Sequence, residues 1–369
     1  MYLNNFHSIV PPYSTEHGEG IKWLAKAYEL SHDKQTYTEH DYLRMLQRVG
    51  CHENQIATRR YFLPDVLASE WDEKVIYRIH ENPKGMSMHR RHEFYHETVT
   101  DLFKQIYQDR THPDDIIHIS CTGYVSPSAA QKVAAKSTKR ITVTHSYHMG
   151  CYGAFPALRM ASGFLSNPSI LGNKKSVDLV HTELCSLHLN PQDPSLEQMV
   201  IQSLFADGCI AYSMTAEAPP QGFKVHSIYE ELIPDSENAM EWMVSDWGMK
   251  MSLSKDVPGM VGEVIRDLTC RWLNHRGFDC DHIIKKGHFA VHPGGPKIID
   301  QVVKNLGLND EQVSSSRQLL LERGNMSSAT LPHIWEKILH DENIPSGTQI
   351  VSYAFGPGLT ICASLMEKL

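Results

Sequence analysis

The strongest constraint on this chain's fold is an alternation that runs through both of its halves. Short apolar runs are followed by helix-period stretches, and a breaker cluster, Ala218-Pro219-Pro220-Gln221-Gly222-Phe223, separates the two series. Before the cluster, residues 115–120 read as a strand, 128–137 as a helix opening after Pro127, 140–144 as a strand, 152–164 as a helix and 177–182 as a further strand. After it, 259–275 reads as a long helix, 288–292 as a short strand, and 297–306 and 327–339 as helices. Residues 349–355 and 359–365 form a terminal strand pair around Gly356-Pro357-Gly358. Strands alternating with helices predict an α/β protein with a buried sheet. Both series show the pattern, so two similar lobes are expected, 1–218 and 219–369.

Composition narrows the function. The 369 residues suffice for a large core, and 41% hydrophobic with 21% charged residues is a soluble globular balance. A net charge of −8 without a basic stripe argues against nucleic acid as a partner. The densest basic stretch, Lys132 to Arg140, reads as a solvated helix face. No apolar run approaches the ~20 residues that span a bilayer. The start, Met1 to His7, lacks the basic and apolar regions of a signal peptide. A cytoplasmic protein without a membrane partner is expected. The eight cysteines are scattered without a CxxC pair, so they read as small buried hydrophobes, with at least one open to a nucleophilic role.

Three short motifs carry chemistry: Gly150-Cys151-Tyr152-Gly153-Ala154-Phe155, His292-Pro293-Gly294-Gly295-Pro296 and Gly324-Asn325-Met326-Ser327-Ser328-Ala329. Each sets one reactive side chain in a turn beside a regular element. Cys151 precedes a helix, where the dipole and free N–H groups favour a thiolate. Taken alone, it is better read as a buried inert thiol; the motifs it keeps company with reverse that. His292 ends a strand; a neutral imidazole there can pair with the thiolate and donate to an enolate oxygen. Asn325 can donate to an oxyanion without titrating, although an Asn before a helix is ordinarily a cap.

With these motifs the sequence resembles the type III polyketide synthases, the chalcone- and stilbene-synthase-like family of the thiolase superfamily. Cys151 stands in a GC-x-G context with Arg159 following. Leu204-Phe205-Ala206-Asp207-Gly208, Lys255-Asp256-Val257-Pro258-Gly259 and Phe355-Gly356-Pro357-Gly358-Leu359-Thr360 match family segments, in family order with the three motifs above. The resemblance runs from about residue 115 to the C-terminus and is loose before that. It implies an αβαβα thiolase-like fold, a homodimer and a Cys151-His292-Asn325 triad. Cys151 would take a starter acyl group from coenzyme A. His292 and Asn325 would stabilise the enolate formed when malonyl-CoA loses CO2. Extension and cyclisation would give a pyrone- or resorcinol-type product. The substrates are coenzyme A thioesters, and no cofactor or metal is required.

The resemblance also assigns the cavity. Phe205 matches a gatekeeper Phe, and Met251 stands where plant enzymes have a second one. Cys185 and His188 replace two plant cavity threonines, which leans away from chalcone and towards an aliphatic starter. His188 either reshapes the product or fills space. Thr122 and Gly123 fall at the cavity wall, Gly123 leaving room for a longer chain, and Ser126 would face a partner subunit. Arg59 and Arg60 fall near family residues that hold the coenzyme A phosphates, and Arg suits phosphate geometrically. A solvated pair is the alternative.

One motif is set aside. His92-Glu93-Phe94-Tyr95-His96 is a literal HExxH, with His89 one turn earlier. It reads as an exposed outer helix without an acidic third ligand, so no zinc site is expected. Two alternatives use the same residues differently: a β-ketoacyl synthase III-like enzyme fed by acyl carrier protein, and a non-catalytic acyl-CoA-binding protein of thiolase fold.

Overall fold

A computed structural model describes residues 1–32 and 37–369. Nine strands build one mixed sheet: β1 (Tyr2–Ile9), β2 (Asp115–Ser120), β3 (Thr142–Tyr147), β4 (Ser176–Leu184), β5 (Asp207–Thr215), β6 (Phe223–Leu232), β7 (His288–Val291), β8 (Gln349–Gly356) and β9 (Thr360–Lys368). Their order across the sheet is β7-β8-β9-β6-β1-β5-β4-β2-β3. The two ends repeat one pattern. In the first, β2 runs parallel to β4, β4 antiparallel to β5, and β5 antiparallel to β1. In the second, β7 runs parallel to β8, β8 antiparallel to β9, and β9 antiparallel to β6. The two series meet in a short ladder, Tyr2 with Lys224 and Leu3 with Phe223. The breaker cluster lies between β5 and β6, where the chain passes from one series to the other.

Side-chain alternation along these strands explains the layers, because successive residues point to opposite faces. Ile117, Ile119, Val177 and Leu179 pack in the same core as Ile350 and Ala354, around helices α3 (Ala154–Ser166) and α6 (Thr330–His340). The alternate residues, Ile116 and Val180, face a second core under helix α2 (Met88–Ile106). Val351, Tyr353 and Phe355 face a third, under α5 (Val257–His275) and the helix Pro296–Leu306. Helices therefore lie outside, between and outside the two half-sheets, the αβαβα thiolase-like arrangement. α3 is buried along most of its length, and Phe155 meets Trp335 of α6 edge to face at 6.5 Å. Two further helices matter below: α1 (His17–Ser31) and α4 (Leu196–Leu204). No helix among the described residues is long and apolar enough to cross a membrane.

Several boundaries differ from the sequence reading. The strand expected at 140–144 is β3, displaced towards Tyr147, and it lies on the sheet edge with much of its surface open. The helix expected from Tyr152 begins at Ala154, after a 3-10 turn at Gly150–Tyr152. The helix expected from Ser327 begins at Thr330, because Ser327 has a positive φ of 51° that an α-helix excludes. A hairpin, Met240–Val244 with Met249–Leu253, was not read from the sequence at all. The cysteines are mostly buried as expected, but Cys270 and Cys280 form an unanticipated disulfide between α5 and the following helix.

Buried histidines set the acid stability. Burial is the leading cause that lowers His118, His181, His188 and His292 to about 3, and His17, His288 and His333 to about 4. Between those values and the unfolded value near 6.5 the unfolded chain binds more protons, so stability falls as pH falls. Two buried carboxyls oppose this: burial raises Glu183 to about 7 and Asp207 to about 6, and they favour the folded state at lower pH. The histidines outnumber them. The melting temperature is expected to drop steeply from pH 6.5 to pH 4.5, as read by differential scanning fluorimetry in matched ionic strength. A flat profile would show that these rings are not held neutral.

Candidate active site

The Cys151 turn is shaped by Gly150. Its φ of 73° is left-handed, and a Cβ there would lie 2.8 Å from Pro357 Cδ, so both conformation and space select glycine. The Gly150 N–H donates to Cys121 Sγ at 2.9 Å. Cys151 itself is 8% exposed, and its thiol reaches towards Ser327 Oγ at 3.9 Å. Burial pushes this thiol up to about 12, outweighing the Ser327 and Asn325 side chains that favour the thiolate; nearby Glu183 raises it further. This corrects the expectation of a dipole-stabilised thiolate. The sulfur lies a turn ahead of α3, and desolvation outweighs the helix N-terminus.

His292 continues past β7, with its N–H donating to Tyr353 O of β8 at 2.8 Å. It is wholly buried, and neither ring nitrogen has a partner. Burial lowers it to about 3, so the ring is neutral at physiological pH. Asn325 is zipped to the end of α4: its N–H donates to Leu204 O at 3.1 Å, and Ala206 N–H donates to Asn325 O at 2.8 Å. Its Oδ1 accepts from Ser327 N at 2.8 Å and from Thr330 Oγ1 at 3.3 Å. That fixes the amide, leaving Nδ2 buried and without a partner. The Asn325 side chain is near enough to favour a Cys151 thiolate, although Nδ2 makes no hydrogen bond. A buried thiol with an unpartnered amide nitrogen near it, and a buried imidazole with both nitrogens unpartnered, are groups able to hold an acyl group and an oxyanion.

Cys151 opens onto a cavity of about 40 Å3, room for a few waters. Thr122, Cys185, His188, Phe205 and Met251 line it, as expected for a common wall. His292 and Asn325 are not among the residues that line it. The unexpected hairpin supplies Met240, Glu241, Trp242 and Met249, and Trp242 Nε1 donates to Cys121 O at 2.9 Å. The His188 ring is fully used: Nε2 bonds Thr122 O at 2.8 Å, and Met249 N donates to Nδ1 at 3.0 Å. It is therefore neutral, with the proton on Nε2, and braces the hairpin against the Thr122 loop.

Two expectations are corrected. Gly123 does not leave room for a longer chain, because a Cβ there would lie 2.4 Å from the Tyr95 ring, which fills that space. Arg59 is 2% exposed, and its Nη1 donates to Gln202 O at 3.0 Å and Phe205 O at 3.2 Å. Its charge supports the cavity wall from behind rather than facing solvent. Arg60 is half-buried and stands near Arg323, which burial and then the Arg60 charge hold below its usual value. Residues of the HExxH stretch are engaged locally: His92 Nδ1 with Met88 O at 3.1 Å, and His96 Nε2 with Lys132 Nζ at 2.7 Å. Among the described residues no group of three or more His, Cys, Asp or Glu is placed to hold a metal.

Glu183 was missed by the sequence reading. It is wholly buried beside the site, accepting from Cys121 N at 3.0 Å, Thr122 Oγ1 at 3.0 Å and Ser328 Oγ. A carboxylate within a strand-like stretch, Val177 to Leu184, was a signal that could have been used, since carboxylates are rarely buried unless paired.

Residues 224–369 match the family of chalcone and stilbene synthases, C-terminal domain. A protein of Bacillus subtilis (strain 168), named provisionally as a chalcone synthase, is 28% identical over 258 residues, 66% of this chain and 68% of the relative. Among solved structures, the C-terminal type III polyketide synthase domain of Steely1, a type I/III hybrid from Dictyostelium, superposes with a TM-score of 0.83 at 22% identity, covering 100% of this chain and 99% of that one. PKS-I from the brown alga Ectocarpus siliculosus gives 0.83 at 20%, covering 99% and 97%. The 1,3,6,8-tetrahydroxynaphthalene synthase of Streptomyces coelicolor A3(2), a bacterial type III polyketide synthase, gives 0.79 at 22%, covering 100% and 99%. The solved structures share the fold, and the likeness to chalcone and stilbene synthases is carried by the C-terminal match over residues 224–369.

Proposed function

We propose that Cys151, His292 and Asn325 carry a decarboxylative Claisen condensation between a starter acyl-CoA and malonyl-CoA, followed by cyclisation to a pyrone- or resorcinol-type product. The observation that carries this reading is the pairing of one thiol at a cavity wall with buried ring and amide nitrogens that have no partner within the protein. Buried donors left unpaired cost about 1–3 kcal/mol each, so a substrate oxygen that accepts from them is favoured. The Cys151 thiol gives its proton to neutral His292 and attacks the starter thioester; coenzyme A leaves as the thiol with that proton. Malonyl-CoA then loses CO2. The enolate oxygen accepts from His292 and from Asn325 Nδ2, and its carbon attacks the Cys151 thioester. The carbon–sulfur bond breaks, and the product, longer by two carbons, stays on coenzyme A. The substrate's own carboxylate supplies the carbanion, so no further cofactor is invoked.

In the same reading, the chain works in the cytoplasm as a homodimer of protomers divided into halves 1–218 and 219–369. Exposed Ser126 faces the partner. Arg60, with Arg323 beside it, meets the coenzyme A phosphates in place of Arg59. The apolar wall, with Met251 and Cys185, favours an aliphatic starter. Light scattering after size exclusion tests the dimer.

The primary test is intact-protein mass spectrometry after incubation with malonyl-CoA and acyl-CoAs from acetyl to long-chain. An acyl adduct on Cys151 and release of a pyrone or resorcinol are expected; absence of any adduct would remove the coenzyme A reading. Cys151→Ala is expected to abolish loading. Asn325→Ala is expected to lower malonyl decarboxylation by about 10²-fold while still permitting loading. Equal loss of loading in both variants would contradict this division of roles. Because His188 braces the hairpin, His188→Thr is expected to enlarge the cavity and change chain length or ring type, read by chromatography of the products. An unchanged profile would make His188 a filler.

A further inference from the structure

Gln202 lies on α4 one turn before Phe205 and lines the same small cavity as Cys151. It is 2% exposed, and its Oε1 is buried without a partner. The orientation of its amide is set by the backbone. Nε2 donates to Asn190 O at 3.2 Å, and a flipped amide would set oxygen against oxygen. Arg59 donates to both Gln202 O and Phe205 O, so the end of the helix that carries this side chain is pinned. Gln198, one turn earlier on the same face, is held alike, with Nε2 donating to Met251 O at 2.7 Å.

Two other polar side chains of the wall are already committed. His188 uses both ring nitrogens, and Thr122 Oγ1 donates to Glu183 and accepts from Leu184 N. Unpartnered groups of complementary kind remain: an amide nitrogen on Asn325 near the thiol, the ring nitrogens of His292, and an acceptor on Gln202. Nitrogen donors suit a thioester or enolate oxygen at carbon 1 of an acyl chain. An acceptor suits an O–H, and in a chain grown by two-carbon units the next oxygen is on carbon 3.

We propose that the side-chain carbonyl of Gln202 is a specificity determinant that accepts a hydrogen bond from a hydroxyl or enol O–H at carbon 3 of the acyl chain held near Cys151. This rests on the condensing-enzyme reading above. A saturated chain leaves the acceptor unpaired, so the site selects chains that have already been extended or that carry a 3-hydroxyl.

The test compares butanoyl-CoA with racemic 3-hydroxybutanoyl-CoA, which share the same pantetheine arm and differ only at carbon 3. Both are offered to the full-length wild-type protein in competition, and acylation of Cys151 is read by mass spectrometry. The hydroxy ester is expected to load about tenfold better in wild type, one net hydrogen bond. Gln202→Met, similar in shape but without the acceptor, is expected to bring that preference to within about twofold. Equal loading by wild type, or a preference that survives in Gln202→Met, would overturn the proposal. The wild-type comparison stands even if the variant does not fold. Failure of every acyl-CoA to label Cys151 would instead remove the condensing-enzyme reading, so the two failures are distinguishable.

Discussion

Two backbone hydrogen bonds, between Asn325 and the Leu204–Ala206 segment, join the second half of the chain to the first at the active site. They hold the Gly324–Asn325 turn against the end of α4, and Gly324 permits it with a φ of 70° where a Cβ would press on Leu204 O at 3.0 Å. Most of the site follows from this junction. Phe205 is set at the cavity mouth, Gln202 one turn behind it, and Ser327 beside the Cys151 sulfur. Arg59 reinforces the junction from below by capping the carbonyls of Gln202 and Phe205. A charge buried to cap backbone carbonyls is tolerable only because those bonds replace its hydration.

Burial, rather than charge pairing, sets the resting state of the reactive groups. The Cys151 thiol is raised to about 12 and the His292 ring lowered to about 3, both chiefly by desolvation. The unliganded site therefore holds a neutral thiol and a neutral imidazole. A neutral ring and an amide can both donate to an oxyanion without first titrating, as the proposed condensation needs. Glu183 is a neighbouring exception, a carboxyl that burial raises to about 7 while three donors hold it. Its protonation falls in the physiological range and alters the field at Cys151.

Sequence reasoning read the local turns better than their surroundings. Cys151, His292 and Asn325 were visible because each sits in a turn whose glycines and prolines leave a local signature. The strands beneath them were visible because short clusters of β-branched and apolar residues stand out between helix-period stretches, as in β2 and β4. The hairpin Met240–Leu253 was not, since its short runs mix buried and open positions and resemble a loop. Gly123 and Arg59 were misread for one reason. Whether the space beside a glycine is open, or a guanidinium meets solvent, depends on what another element places there, and Tyr95 and α4 lie far away in the chain.

What the sequence alone determined was the α/β class, the repeated strand-and-helix pattern and the turns that hold Cys151, His292 and Asn325, because periodicity and turn chemistry are local properties. The tertiary structure decided the rest. It decided that Arg59 supports a wall, that Tyr95 closes the space beside Gly123, that His188 is a brace with both nitrogens spent, and that Gln202 keeps one acceptor free. Each of these depends on which polar atoms find partners after the halves pack together, and hydrogen-bond satisfaction between distant segments leaves no pattern in the order of residues.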